Sequence, residues 1–348
     1  MTTSLTKPAK KQIKIGDIEL KGNVYIPPMA GFTDLPYRIL CREFDEDVLM
    51  STEMLSSKAM LYSDQYKNPE EPNKMDIPEG ESLTGIQLFG HEPEVMSEAA
   101  RIATDAGARF IDINMGCPVA KIVNGMDGAA LMKYPDLAFN IVKAVKSSTN
   151  LPVTVKTRLG WDYDNLNARD LALMFQDLGI SALTLHGRTR SQKYEGNAKW
   201  ELIGEAIEGL EIPVFANGDV KTIEDVKNIL ETTGADGVAI ARGTMGKPWF
   251  SKQVNHYIDT GEILPEPDDI AKLDLSLKHC KLMIEYRGIE AGTREIRKHI
   301  VKYIHGLPGS SKLRAKLSHL NSYQEAEEMI FELMENLKKQ PCDDGEDR

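Results

Sequence analysis

The feature that most constrains this chain is an alternation repeated eight times. Short runs rich in β-branched and apolar residues stand at VYIPP (24–28), DVLMST (47–52), TGIQLF (84–89), RFIDIN (109–114), PVTVKT (152–157), SALTLH (181–186), IPVFAN (212–217) and DGVAIA (236–241). Helix-periodic stretches lie between them, among them PEVMSEAARIATDAG, PDLAFNIVKAVKSS, NARDLALMFQDLG and TIEDVKNILETTG. Three of these four end in glycine, the residue that most readily takes the left-handed turn stopping a helix. Eight strands alternating with helices close into a barrel or spread into an open, doubly wound sheet. Even spacing, and no G-x-G-x-x-G after the first strand, favour an α/β fold of the closed (β/α)8 TIM barrel type.

Such a barrel takes roughly 250 residues, and the chain has 348. The surplus lies at the two ends. QIKIGDIEL alternates apolar and polar residues about Gly16-Asp17, the pattern of a hairpin, so 1–22 is assigned to an N-terminal tail and hairpin. The barrel is expected over 23–260. DTGEILPEPDD, with two prolines and five acidic residues, marks a boundary. Residues 270–340 then read as helices alone, a small all-helical C-terminal domain: LDLSLKHCKLMIEY, TREIRKHIVKYIHG, SKLRAKLSHL and YQEAEEMIFELMENLKK. The closing CDDGEDR reads as a disordered acidic tail.

Apolar residues make up 41% and charged residues 27%, so the chain can bury a full core without a metal or disulfide staple. Cys41, Cys117, Cys280 and Cys342 form no C-x-x-C pair, which argues against a zinc ribbon and against any bound metal. A reducing cytoplasm is the expected location. The opening MTTSLTKPAKKQ has no apolar run suited to a signal peptide, and no stretch reaches the ~20 apolar residues of a membrane span.

The net charge of −11 would repel nucleic acid at long range if it were spread evenly. Between Gly288 and Leu320, however, seven basic residues stand against Glu290 and Glu295, giving +5 there and −16 elsewhere. Arg294, Lys298 and Lys302 recur every fourth residue beside Arg297, on a different helical face from Ile296, Ile300 and Ile304. This is either an ordinary solvated face or a basic stripe made for phosphates.

Active sites of these barrels form at the C-terminal ends of the strands. There the sequence places Pro28-Met29-Ala30, Glu53, Gln87, Asn114-Met115-Gly116-Cys117, Lys156 and Arg158, His186 and Arg188, Asn217-Gly218-Asp219, and Ala241-Arg242-Gly243. The loops after the last two strands are the customary phosphate site, and glycines with Arg242 suit an anion. In PVTVKT, Val153 and Val155 share one face while Thr154 and Lys156 share the other, so Lys156 is expected to point into the barrel. A cation there and an amide at Gln87 suit the ring of a flavin, whose reduced form is anionic. His186 reads either as a packed histidine or as a ligand. A lone cysteine is more often packing than chemistry. Cys117, just past a strand end among these groups, could instead serve as nucleophile or acid.

These residues sit in stretches that together resemble the tRNA-dihydrouridine synthases: PPMAGFTDLPYR, STEM, GIQLFG, IDINMGCPVAKIVNGMDGAALM, VTVKTRLGW, LHGRTRSQKYEG, ANGDV and ARGTMGKPWF, followed by the helical tail. The resemblance covers most of the chain, and the stretch around Cys117 is its most specific part. It implies an FMN-bound barrel with a tail that grips tRNA. Pro28, Met29, Ala30, Gln87, Lys156, His186, Asn217, Gly218, Asp219, Ala241 and Arg242 match the family's FMN-binding positions, and Cys117 matches its proton donor. Asn114 and Arg188 match positions near the uracil and the flavin, and Arg294, Arg297 and Lys298 fall where tRNA is expected. The implied cycle is reduction of FMN by NADPH, hydride transfer to C6 of uracil and protonation of C5 by Cys117. Two other readings are a flavin barrel acting on a free pyrimidine, of the dihydroorotate or dihydropyrimidine type, and a non-catalytic RNA-binding protein.

Overall fold

All eight expected strands are present in the computed structural model, which describes residues 8–66, 72–78, 81 and 83–339. The first, β3 (Val24–Ile26), follows a hairpin of β1 (Ile13–Ile15) and β2 (Ile18–Leu20) and leads into α1 (Leu35–Phe44). β4 (Leu49–Ser51) and the two-residue β5 (Leu55–Ser56) lead into α2 (Ser57–Tyr62), and β6 (Thr84–Phe89) into α3 (Pro93–Asp105). β7 (Ile111–Met115) precedes the short α4 (Ala120–Val123) and α5 (Pro135–Ser148). β8 (Val153–Arg158), β9 (Ala182–His186), β10 (Val214–Asn217) and β11 (Gly237–Ala239) precede α6 (Ala168–Asp177), α7 (Trp200–Ile207), α8 (Ile223–Thr233) and α9 (Phe250–Thr260).

The strands pair in parallel from β6 through β11 to β3 and β4, and β4 returns to β6, so the sheet closes. Each covering helix turns an apolar stripe to the outside of the barrel. In α3 it is Met96, Ala99, Ala100 and Ala103, and in α5 Ala138, Ile141, Val142 and Val145. Start and stop signals are local. Thr222 and Asp225 form a reciprocal capping box at α8, and Gly234 ends that helix in the left-handed conformation.

The chain divides into two compact units. The expectation set 1–22 apart from the barrel. The hairpin instead belongs to the barrel's unit, because Ile13, Ile15, Ile18 and Leu20 are buried against Tyr25, Leu49, Phe110, Ala182 and Phe215. Removing such side chains from water contributes roughly 1.5–3 kcal/mol each, more than a free hairpin could gather. Barrel residues continue to 264, while 245–248 cluster with the helical unit rather than with the barrel. That unit holds α10 (Asp269–Arg287), α11 (Ile289–Tyr303), α12 (Ser310–Leu317) and α13 (Tyr323–Lys339). Its core is built from Leu273, Leu277, Met283, Ile296, Ile300, Ile304 and Ile330 among others. Among the described residues no helix is long and apolar enough to cross a membrane. The N-terminal residues 1–7 and the acidic CDDGEDR end, with Cys342, lie outside the described residues.

Candidate active site

Register builds the site before any loop does. Pairing aligns Gln87 with Asp112 and Asp112 with Thr154, one residue layer across three strands. The next layer toward the C-terminal ends aligns Asn114 with Lys156 and Lys156 with Thr184. Barrel interiors are usually filled by branched apolar side chains. Here the layer beneath the mouth is polar and fully buried. Asp112 accepts from Gln87 Nε2 at 2.6 Å and from Thr154 Oγ1 at 2.7 Å. The Tyr25 hydroxyl lies 3.4 Å from the same carboxylate and 2.7 Å from Ser51 Oγ.

Above this layer Asn114 shapes the loop carrying Cys117. Its Nδ2 donates to Gln87 Oε1 at 2.7 Å, and its Oδ1 accepts from the backbone N–H groups of Gly116 and Cys117 at 3.1 and 2.9 Å. The Gly116 carbonyl accepts from Arg158 Nε at 2.7 Å, and the Cys117 carbonyl accepts from the Ala129 N–H at 3.1 Å. Gly128 makes that last approach possible. Its φ is +59°, and a Cβ there would stand 2.9 Å from the Cys117 carbonyl oxygen. Burial pushes the Cys117 thiol above its ordinary pKa, against weaker opposing effects of the Val119 backbone and the charges of Arg158 and Lys156. The group is therefore a protonated thiol at neutral pH, suited to giving a proton.

Lys156 points into the barrel as its strand alternation requires, and its Nζ donates to Asn217 Oδ1 at 3.2 Å. Asn217 is fixed in turn by its own Nδ2, which donates to the Ala239 carbonyl at 2.7 Å. Burial, with the charge of Arg158, lowers the Lys156 pKa to about 8 against the pull of Asp112 and Cys117. His186 is held neutral, well below its ordinary pKa, by burial and by the cations Arg158, Lys156, Arg188 and Arg242. Its Nε2 lies 3.3 Å from Arg188 Nη1, a donor, which assigns the imidazole proton to Nδ1.

At the ends of β10 and β11 the backbone turns sharply. Gly218 has φ +131°, and a Cβ there would lie 2.6 Å from Ala198 Cβ and 3.1 Å from His186 Cδ2. Asp219 follows at φ 58°. Its carboxylate lies 2.6 Å from Arg188 and 3.2 Å from Arg242, and accepts from the Ala198 N–H at 2.8 Å. Burial raises the Asp219 pKa, but those donors outweigh it and leave the group below its ordinary value. Arg242 stays 45% exposed on its side chain, with its guanidinium over the Tyr194 ring. Lys156, Arg158, Arg188 and Arg242 thus outnumber Asp112 and Asp219. A lysine held only by a neutral amide, its pKa depressed, is a site for an anion. These residues fit an anionic ring and a phosphate.

Pro28, Met29 and Ala30 form the turn after β3, where the Phe32 N–H donates to the Met29 carbonyl at 2.8 Å. The Gly31 N–H is drawn to Glu53, which also pairs with Lys74 at 3.0 Å. Ala241 and Arg242 stand at the start of the short helical turn after β11. Two expectations meet a different geometry. Arg188, expected near the uracil, is 2% exposed and donates to the Glu195 and Gly196 carbonyls and to Asp219, so its guanidinium is committed to its own loop. In the helical unit, Arg294 and Lys302 are exposed and Lys298 is partly so, whereas Arg297 donates through Nε and Nη2 to the Leu320 carbonyl in the connection between α12 and α13. Sequence reasoning named Arg158 only as a strand-end residue, without a role, and passed over Asp112. Arg158 links the Gly116 carbonyl to those of Thr189 and Lys193, and Asp112 stands two residues before Asn114 on the same strand face.

A closed parallel barrel whose mouth carries a protonated thiol beside an anion-fitting cationic cradle defines the chain as a barrel enzyme. The family described as Dihydrouridine synthase (Dus) matches residues 25–340. A probable tRNA-dihydrouridine synthase of Rickettsia bellii is 41% identical over 321 residues, 92% of this chain and 97% of its own. tRNA-dihydrouridine synthase B of Vibrio cholerae is 40% identical over 293 residues, 84% of this chain and 89% of its own. The chain belongs to the dihydrouridine synthase family. Among solved structures, morphinone reductase in complex with tetrahydroNAD superposes with a TM-score of 0.51 at 13% identity, covering 75% of this chain and 93% of its own, a likeness of fold.

Proposed function

We propose that the protein reduces specific uridines in tRNA to 5,6-dihydrouridine, with FMN as its bound cofactor and NADPH as reductant. The observation that carries this reading is the placement of Cys117 on a hydrogen-bonded loop beside Lys156 and Arg158, with burial raising its thiol pKa, in a chain of this family. When bound and reduced, the flavin supplies a hydride to C6 of the uracil ring. Cys117 gives the proton that C5 then requires, a contribution of roughly 10²–10⁴-fold in rate for a well-placed acid. Lys156 would hold the anionic edge of the ring. Asn217, Gly218 and Asp219 with Ala241 and Arg242 would hold the phosphate. Pro28, Met29 and Ala30 would border the ring. Gln87 has its oxygen and one N–H already engaged, so it offers the ring a single donor, and His186 offers its Nδ1–H.

A base inside folded tRNA must leave its stack, which costs a few kcal/mol. Phosphate contacts from Arg294 and Lys298 would help offset this. Arg188 acts by fixing His186 and Asp219. Arg297 acts by fixing the connection between α12 and α13. The free thiols of Cys41, Cys117 and Cys280 accord with a cytoplasmic location. The decisive experiment is a comparison of substrates for the purified protein, with nucleoside analysis of the product. Released FMN, NADPH consumption with unmodified tRNA and formation of dihydrouridine are expected. Turnover of free uracil or dihydroorotate in place of tRNA, or a colourless protein that takes up no FMN, would overturn the reading.

A further inference from the structure

We infer that Asp112, sealed in the barrel interior, is a positioning residue for the reaction, because it fixes the direction of an amide relay that ends on the backbone of Cys117. The relay has three links. Gln87 Nε2 donates to Asp112, Asn114 Nδ2 donates to Gln87 Oε1, and the N–H groups of Gly116 and Cys117 donate to Asn114 Oδ1. A side-chain amide is two-faced, with nearly equal shape at its oxygen and nitrogen ends, and a buried one points the way its neighbours dictate. At the barrel end of this relay stands a carboxylate that accepts. At the loop end stand two backbone N–H groups that can only donate. Between those ends Gln87 and Asn114 each have one orientation that satisfies both sides. Turning either amide over sets N–H against N–H or oxygen against oxygen, at a cost that is greatest at the fully buried Gln87–Asp112 end.

Asp112 is itself held for this task. It is fully buried, Thr154 Oγ1 occupies its other oxygen at 2.7 Å, and Tyr25 steadies the near one. Pairing places Gln87, Asp112 and Thr154 side by side on three strands, so the anchor belongs to the sheet and not to a mobile loop. Cys117 rides on a loop, and the relay lends that loop the rigidity of the barrel. A proton donor must be held within hydrogen-bond reach of the atom it serves. The inference rests on the reading of Cys117 as that donor.

The test uses the full-length, FMN-loaded protein and three changes: Asp112→Leu, Asp112→Asn and Gln87→Met. Asparagine keeps an oxygen for Gln87 and turns its Nδ2 to Thr154 Oγ1, so the relay survives without the charge. Leucine at 112 and methionine at 87 break it. Hydrogen exchange of the peptide containing Gly116 and Cys117 is expected to quicken about tenfold in the two broken variants and to stay near wild type in Asp112→Asn. Flavin reoxidation by tRNA is expected to slow about tenfold in the same two, with the Asp112→Leu/Gln87→Met double variant no slower than the slower single. Additive losses in the double variant, or Asp112→Asn as impaired as Asp112→Leu, would show that Asp112 acts through its charge on Lys156 or through packing, and the inference falls. If Asp112→Leu does not retain FMN, Gln87→Met against Asp112→Asn carries the same test, and equal exchange in those two overturns it. Cys117→Ala separates the two readings. Wild-type reoxidation in that variant removes Cys117 as the acid whatever the exchange data show, whereas slow reoxidation with undisturbed exchange in the relay variants removes Asp112 alone.

Discussion

The two units of the molecule carry their polar residues in opposite ways. In the barrel, Asp112, Gln87, Arg158 and Arg188 are 0–2% exposed, and each makes several hydrogen bonds to fixed partners. In the helical unit, Arg294, Lys302, Lys312 and Lys316 stand exposed along helix surfaces. Buried polarity acts through geometry, so one substitution can undo it and salt hardly touches it. Exposed charge acts through a sum, so single changes are modest, roughly additive and strongly salt-dependent. The difference predicts which experiments give large effects and which give graded ones.

The largest effect is expected at Cys117. Cys117→Ala should retain FMN and still be reduced by NADPH, yet its flavin should be reoxidised by tRNA roughly 10²–10⁴-fold more slowly. Stopped-flow absorbance separates the two half-reactions. Cys117→Ser should recover little, because a hydroxyl is a far weaker acid than a thiol. The pH dependence has a definite sign. The thiol pKa is raised by burial above the ordinary 9.0, so the acid form is present throughout the neutral range and the reoxidation rate should fall only as pH climbs past that value. A rate that declines from pH 7 to 8.5 would mean an activated thiolate, and the geometry argued for the barrel mouth would not be that of an acid.

Much of this was legible in the chain itself, for a physical reason. Strand alternation and parallel register are set by residue spacing, so the inward direction of Lys156 followed from Val153, Thr154 and Val155 alone. The basic stripe on α11 followed from helical period in the same way, with Ile296 and Ile300 buried as expected. What spacing does not carry is the partner of a side chain. Arg188 and Arg297 have the composition of ligand-binding groups, yet carbonyls brought close by tertiary folding, Gly196 for the first and Leu320 for the second, take up their donors. Asp112 was passed over because a charge in mid-strand has no local motif. Its place two residues before Asn114 was the one signal available.

A graded effect is expected from the helical unit. Arg294→Glu with Lys298→Glu should raise the KM for tRNA about tenfold at moderate salt while NADPH oxidation stays near wild type. The slope of log affinity against log salt should shrink by roughly one unit for each tRNA phosphate that the variant no longer neutralises. Arg297→Glu belongs to a different class, since it also removes the donor to the Leu320 carbonyl and should lower the melting temperature as well. Unchanged tRNA affinity in the Arg294/Lys298 variant would make the stripe an ordinary solvated face, and the contrast between the two units would lose its functional meaning.

The smallest expected effect lies where the two regimes meet, at a charge that is half-buried and has only a neutral amide as its hydrogen-bond partner. Lys156 has a folded pKa of about 8 against 10.5 for an ordinary lysine. Below pH 8 both folded and unfolded chains hold the proton, and the folded chain bears the cost of desolvating it. Between about 8 and 10.5 the folded chain releases the proton while the unfolded chain keeps it, so wild-type stability should rise with pH through that window. Lys156→Met removes the cost. The FMN-stripped variant should therefore melt a few degrees higher than stripped wild type at pH 7, on a scale of about 2 °C or less per kcal/mol for a chain of 348 residues. That advantage should shrink by pH 10, where wild-type Lys156 is already neutral in the fold. With FMN present the order should reverse, because bound cofactor stabilises the fold in proportion to its affinity, and that affinity is expected to be lower without the lysine at the ring edge. Thermal melts of stripped and loaded protein at the two pH values check each clause. Equal melting of the stripped proteins at pH 7 would mean that the lysine is comfortably solvated at the rim, and that its depressed pKa is no sign of a site built for an anion.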